Sequence, residues 1–356
     1  MIPDKKRKAL KCIALAIAAL VTVGSFFAIP EIARAIPASF TSLLMLSSPA
    51  TPVVALRPEP KPNESILWEE SEPSDPPEEE EEISEEELPP PTPEDAITVM
   101  AGNFCWYDAD ETPTLNLINN TSYRVDVPSY LQKTYPISPL SSTEEPLVLI
   151  VHTHGTEAYL PSGTDYYLPG EDFRSENPAQ TVVAVGNAIA EALEELGIPT
   201  LHDTTMHDKE DFNRAYTNSA RTIKEYLEKY PSIRYVLDVH RDSIFGEGNV
   251  CEKTLTVVED TPTAQVMLVV GTDESGSSHP GWRKNFTVAS HLEERLNLLY
   301  PTLARPVNLR EHGFNQWFTT GSLIVEVGSC GNTVEEAVTA GSFFAAAFAD
   351  LVKSGG

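Results

Sequence analysis

The chain has 356 residues, four cysteines and a formal net charge of −28. That length supplies one large domain or two small ones with a proper hydrophobic core, while the acidity argues against nucleic acid as a partner. The charge is concentrated: fifteen Asp or Glu, seven prolines and no Lys or Arg lie between Glu64 and Asp95, leaving −13 elsewhere.

Residues 1–36 read as a membrane signal. Lys5, Lys6, Arg7, Lys8 and Lys11 precede an uncharged run of 18 residues from Cys12 to Ile29. This is near the lower limit for a membrane span and exceeds the roughly 7–15 apolar residues of a cleaved signal. An uncleaved single-pass anchor is therefore expected, with Ala33-Arg34-Ala35 as the cleavage site of the competing reading. The basic flank keeps the N-terminus cytoplasmic and sends the remainder outside. Residues 37–95, rich in Pro, Ser and then acid, cannot bury enough apolar surface to order themselves and read as an extended tether. A folded domain is expected over 96–356.

Within that domain "TLNLINNTSYRVDV" suggests two short strands about an Asn119-Asn120 turn. From Leu147 the rhythm is strand, helix, strand. "VLIV" is an apolar strand that changes abruptly to "HTHGTE", and "TVVAVGNAIAEALEEL" has apolar residues at helical spacing. "IPTLHD" is a short strand, "FNRAYTNSARTIKEYLEKY" an amphipathic helix, and "IRYVLDVH" a buried strand ending in histidine. "EKTLTVVE" and "AQVMLVVGT" are strand-like, "NFTVASHLEERLNLLY" is helical and "GSLIVEVGS" is another apolar strand. "TVEEAVTAGSFFAAAFADLVKS" closes the chain as a helix, with Thr333 and Glu336 placed for a capping box. Such alternation predicts an α/β fold, an open, mostly parallel sheet with helices on both faces.

Ligands of such sheets bind beyond the carboxyl ends of the strands, where polar residues cluster here. His154 and Glu157 form H-x-x-E, and His240 ends the next buried strand. Two imidazoles and a carboxylate leave a fourth position open, the pattern of a catalytic zinc site. Glu326, on a third strand, could act as general base and acid. His152 competes with His154 as a ligand, and Glu176 in "FRSEN" competes with Glu157. Arg241 is a candidate holder of a substrate carboxylate, and Asp238 and Asp242 could orient ligands. Cys105, Cys251 and Cys330 show no C-x-x-C spacing; they read as small buried hydrophobes, with one disulfide allowed in an oxidising compartment.

Taken in order, "HTHGTEAY", "AVGNAIAEALEELGIPTLHDTTMHD", "YVLDVHRDS" and "LIVEVGSCGNTVEEA" resemble the stage II sporulation protein P family. The resemblance runs from roughly Leu115 to the C-terminus. It implies a membrane-anchored, Zn2+-dependent hydrolase with a zinc amidase fold of the phosphorylase/hydrolase-like kind. The implied activity is that of an N-acetylmuramoyl-L-alanine amidase acting on peptidoglycan, with endopeptidase activity on cross-links. It also implies sporulation proteins D and M as partners during engulfment, on the mother-cell side of the septal membrane. Carried over, the ligands fall on His154 and His240 and the catalytic acid on Glu326. The middle ligand falls on Glu157 by H-x-x-E spacing, or on Glu176 by its position before the first long helix. Two further readings remain: a zinc carboxypeptidase-like exopeptidase and a non-catalytic wall-binding module.

Overall fold

The structure is a computed structural model that describes residues 95–105, 115–139, 144–171, 173–247 and 250–355. The expected anchor and tether lie outside these residues. Among those described, no helix is long and apolar enough to cross a membrane.

In chain order the strands are β1 (Ile97–Gly102), β2 (Leu117–Asn119), β3 (Val148–Val151), β4 (Tyr166–Tyr167), β5 (Thr200–His202) and β6 (Tyr235–Asp242). They continue as β7 (Val250–Val258), β8 (Thr261–Ala264), β9 (Val266–Gly271), β10 (Val307–Arg310) and β11 (Gly321–Ser329). The α-helices are α1 (Val127–Leu131), α2 (Val182–Glu195), α3 (Ala215–Lys229), α4 (Trp282–Leu299) and α5 (Val334–Ser354).

Seven strands form the central sheet in the order β2-β10-β9-β11-β6-β3-β5. Every pairing is parallel except β9 with β11. Alternation along the strands sorts the two faces. Val148, Ile150, Leu237, Val239, Leu323 and Val325 join one large core with the apolar sides of α2, α4 and α5. Leu149, Val151 and Val236 pack with Ile223 of α3 on the other face, where Ile324, Met267 and Val269 lie under Phe314. The mostly parallel sheet with helices on both faces is therefore present. The expected capping box at Thr333 and Glu336 starts α5.

Besides β10, which the sequence reading did not single out, two features differ from it. Only the first of the two strands expected around Asn119 forms. Asn119 Oδ1 accepts from the Thr121 amide and hydroxyl, turning the chain, and Pro128 then starts the short α1. The second difference is a separate four-stranded sheet, β4-β1-β7-β8, in which β1 and β7 pair in parallel. Its strands are short or half-exposed, so their apolar pattern is weak.

Candidate functional site

The strand that opens the site ends at Val151, and the next six residues each have a distinct position. His152 points into the large core. Its Nδ1 lies 2.9 Å from the Val239 carbonyl and its Nε2 lies 2.7 Å from His202 Nε2. A carbonyl only accepts, so Nδ1 carries the proton and Nε2 is the bare nitrogen facing His202. Burial keeps both rings neutral, His152 down at about 3 and His202 at about 4. Gly186 of α2 makes the room: a Cβ there would sit 2.5 Å from His152 Nε2 and 2.7 Å from His202 Nε2. With both nitrogens engaged on the α2 side, His152 is a core residue rather than a ligand.

His154 lies on the other side, its ring stacked on Phe212 at 4.5 Å and edge-on to Tyr216 at 5.6 Å and His240 at 5.5 Å. Its Nδ1 is 3.6 Å from Asp208 Oδ2. Asp208 is fixed by the Thr156 hydroxyl at 2.6 Å and Arg174 at 2.6 Å. Burial opposes its charge, but His154 and the Thr156 donors hold it below the ordinary carboxylate range. Glu157 is buried with His240 Nδ1 3.4 Å from Oε2, and the Arg241 amide donates to that oxygen at 3.1 Å.

His240 is held between acids, since its Nε2 lies 3.0 Å from Asp238 Oδ1. Asp238 in turn accepts from the Thr153 amide at 2.8 Å and the Thr153 hydroxyl at 2.6 Å. Burial works against a charged His240, yet Asp238 and Glu157 raise its pKa well above the usual value. Burial likewise works to raise both acids. His240 outweighs it, with Arg241 and His154 assisting at Glu157 and Thr153 at Asp238, which falls to about 2.

Glu326 is directly opposite His240 in the β6–β11 register. Its Oε2 is shut off from solvent and has no hydrogen-bond partner among the described residues. Burial pushes its pKa up to about 8, with Asp242 and Glu157 adding to the rise and His240 opposing it.

The structure thus gathers His154, Glu157, His240 and Glu326 at adjoining strand ends. Glu176 stands apart: its side chain is 69% exposed and pairs with Lys209 at 2.9 Å. Arg241 also departs from its expected role. It is buried, donating to the carbonyls of Ala158 at 2.7 Å and Phe173 at 2.5 Å. Its guanidinium braces the loop after Glu157 and is not free for a substrate carboxylate. Asp242 pairs with Arg305 at 2.8 Å. Sequence reasoning left Asp208 unassigned, because its partners Thr156 and Arg174 are 52 and 34 residues away in the chain.

Among the described residues, no group of three or more His, Cys, Asp or Glu is drawn tightly enough together to hold a metal ion. The donor chemistry nevertheless suits one. Each histidine has a buried aspartate behind one ring nitrogen, the usual support of a metal-bound imidazole. The 3.4 Å between His240 Nδ1 and Glu157 Oε2 is long for a hydrogen bond, and it matches the roughly 3.4 Å between two donors on one tetrahedral zinc.

The stage II sporulation protein P family model matches residues 50–349. The chain belongs to this family. A stage II sporulation protein P from Bacillus subtilis (strain 168) is 29% identical over 222 residues, 58% of this chain and 51% of that one. The match therefore spans about half of the relative's length. Among solved structures, the N-acetylmuramoyl-L-alanine amidase AmiC2 of Nostoc punctiforme has a TM-score of 0.35 at 14% identity, covering 60% of this chain and 98% of its own. The CwlD amidase from Clostridioides difficile, solved in complex with the GerS lipoprotein, gives 0.35 at 13% identity over 60% of this chain and 96% of its own.

Proposed function

We propose that this family member is a zinc-dependent peptidoglycan hydrolase acting in sporulation, an N-acetylmuramoyl-L-alanine amidase that cuts the amide between N-acetylmuramic acid and the stem peptide's L-alanine. The observation that carries the reading is the set of buried Glu157 and His240 with partly exposed His154, with Asp208 and Asp238 behind the histidines and Glu326 alongside. His154, Glu157 and His240 would hold the ion. A bound zinc supplies a Lewis acid for the amide oxygen and lowers the pKa of water to about 7.

The chain's own residues supply the rest. Asp208 and Asp238 fix the ring orientations of His154 and His240. Glu326, its pKa pushed up to about 8 by burial, takes a proton from the attacking water and returns it to the departing alanine nitrogen. Phe212 and Tyr216 pack against the His154 ring and wall that side. The exopeptidase reading loses support because Arg241 is committed to backbone carbonyls.

Endopeptidase activity on cross-links, sporulation proteins D and M as partners, and tethering outside the cytoplasm by residues 1–36 belong to the same proposal. The test is digestion of purified sacculi with and without chelator and with zinc restored, products read by mass spectrometry. Chelator-sensitive release of stem peptides with a free alanine amine is expected. Release of single amino acids, or chelator-resistant digestion, would overturn the assignment.

A further inference from the structure

Beside the candidate site, the loop from His312 to Thr319 crosses the sheet face that carries Glu326, and side chains pin it throughout. Gln316, only 2% exposed, accepts from the Gly271 amide and donates to the Val269 carbonyl, both at 2.8 Å. Asn315 donates to the Tyr216 carbonyl at 2.8 Å and to Ser219 Oγ at 3.1 Å. Asn285 of α4 donates to the carbonyls of Gln316, Thr319 and Ser322. These bonds hold Phe314 and Asn315 at φ 47° and 58°, a region that a bulky Phe rarely enters.

This rigid loop displays an apolar surface to solvent. Trp317 is 44% exposed and, with Tyr216 and Phe314, lines a cavity of about 340 Å³ rimmed by Ser277 and His312. Gly313 lets the indole lie close, since a Cβ there would sit 3.0 Å from both Trp317 Cζ3 and Ser277 Cβ. The cavity adjoins the candidate site through Tyr216, whose ring centroid is 5.6 Å from His154 and 5.7 Å from Phe314. Its volume suits one small ligand unit. An exposed aromatic face bordered by hydroxyl and imidazole groups matches a sugar ring, apolar on its C–H face and polar at its edge.

Resting on the hydrolase reading, we propose that Trp317, Phe314 and Tyr216 form a glycan subsite that stacks an N-acetylhexosamine next to the scissile amide. The subsite positions the strand and performs no chemistry. The test titrates the full chain with the tetramer of N-acetylglucosamine, which lacks the scissile bond, and follows the heat of binding by calorimetry. A saturable change is expected in the wild type and in Glu326→Gln, and none in Trp317→Ala. Trp317→Phe should bind with intermediate affinity, and Trp317→Ala should raise KM for sacculi by about tenfold with kcat preserved. No change with the tetramer while sacculi are digested would overturn the subsite and leave the hydrolase standing. Saturable binding without digestion would retain the subsite and remove the hydrolase. A response to free stem peptide in place of the tetramer would refute the glycan assignment.

A separate observation concerns Cys251 of β7 and Cys330, just past β11. Both are buried with Leu160 and Tyr167, and their Sγ atoms lie 2.9 Å apart, closer than two non-bonded sulfurs normally approach. We infer that these thiols form a disulfide when a disulfide oxidant reaches them. Each thiol loses its proton, one S–S bond forms, and the oxidant is reduced to two thiols. The bond would tie the second sheet to the strand that carries Glu326. After exposure of the chain to oxidised glutathione, unfolding and alkylation, mass mapping should find a Cys251–Cys330 peptide, and reduction should lower the melting temperature by about 5–10 °C. Alkylation of both thiols after that treatment would overturn the inference.

Discussion

Thr153→Val tests whether the residue between the two strand-end histidines acts through Asp238. Valine keeps the shape of threonine and removes one hydroxyl, which donates at 2.6 Å to Asp238 Oδ2 and lies 2.8 Å from the Ser219 hydroxyl, from which it can accept. A hydrogen bond to a charged group contributes about 1.5–3 kcal/mol and a neutral one about 0.5–1.5. The loss should therefore be about 2–4 kcal/mol of folding stability, read by urea unfolding in chelator. Asp238 would keep the Thr153 amide and its pairing with His240 but would be fixed on one oxygen only, and would orient His240 less well, so zinc affinity should fall about 10–100-fold. Thr156→Val is the control. Asp208 also accepts from Arg174 at 2.6 Å, so removing the Thr156 hydroxyl should cost less on both measures. The reasoning fails if Thr153→Val costs under about 0.5 kcal/mol with zinc affinity unchanged, or if Thr156→Val proves the more damaging.

Three further outcomes are expected. Glu326→Gln should keep zinc, measured by metal analysis after dialysis, and lose about 10²–10⁴-fold in turnover; near-normal turnover would remove Glu326 from the chemistry. Glu157→Gln should weaken zinc binding strongly and the exposed Glu176→Gln should not, as followed by competition with a chromophoric chelator; the reverse result would transfer the ligand role to Glu176. Glu293 of α4 is 1% exposed, with Oε2 lacking a hydrogen-bond partner among the described residues, and burial raises its pKa well above the ordinary value despite the Asn116 and Val307 amides. The unfolded chain releases this proton above about pH 4.5 while the folded chain retains it. Folding stability should then fall as pH rises from there, by up to about 1.4 kcal/mol per unit. Glu293→Gln should make that slope shallower in unfolding experiments at several pH values, leaving the part that Glu326 contributes, and an identical slope would refute it.

Strands β3, β6, β9 and β11 of the central sheet were legible because they are almost wholly buried runs such as "VLIV" and "YVLDV", and its long helices bury one stripe each. Of the second sheet only β7 was, through "EKTLTVVE"; β1 is half-exposed and β4 has two residues, too little for a period to register. Within the site, the residue types and strand ends that bring His154, Glu157, His240 and Glu326 together could be read along the chain. The side on which a residue acts could not. His152 and His154 look equivalent in "HTHGTE", yet β3 has ended by His152, which turns toward Gly186 and His202 while His154 faces Phe212 and His240.

The carboxylates behind the histidines were hidden for a different reason. Asp208 and Asp238 are each secured by a threonine of that same segment, and each sits against one imidazole. Burying an acid without partners is costly, so these two need their threonine donors and a cation nearby. In the metal-free protein His240 supplies that charge between Asp238 and Glu157. A divalent ion bound there would take over the role and leave the imidazole neutral, as a metal ligand must be. The same buried acids that hold the proton on His240 also attract a divalent ion, so proton and metal compete for this imidazole. Zinc binding should accordingly release protons, which makes apparent zinc affinity rise with pH.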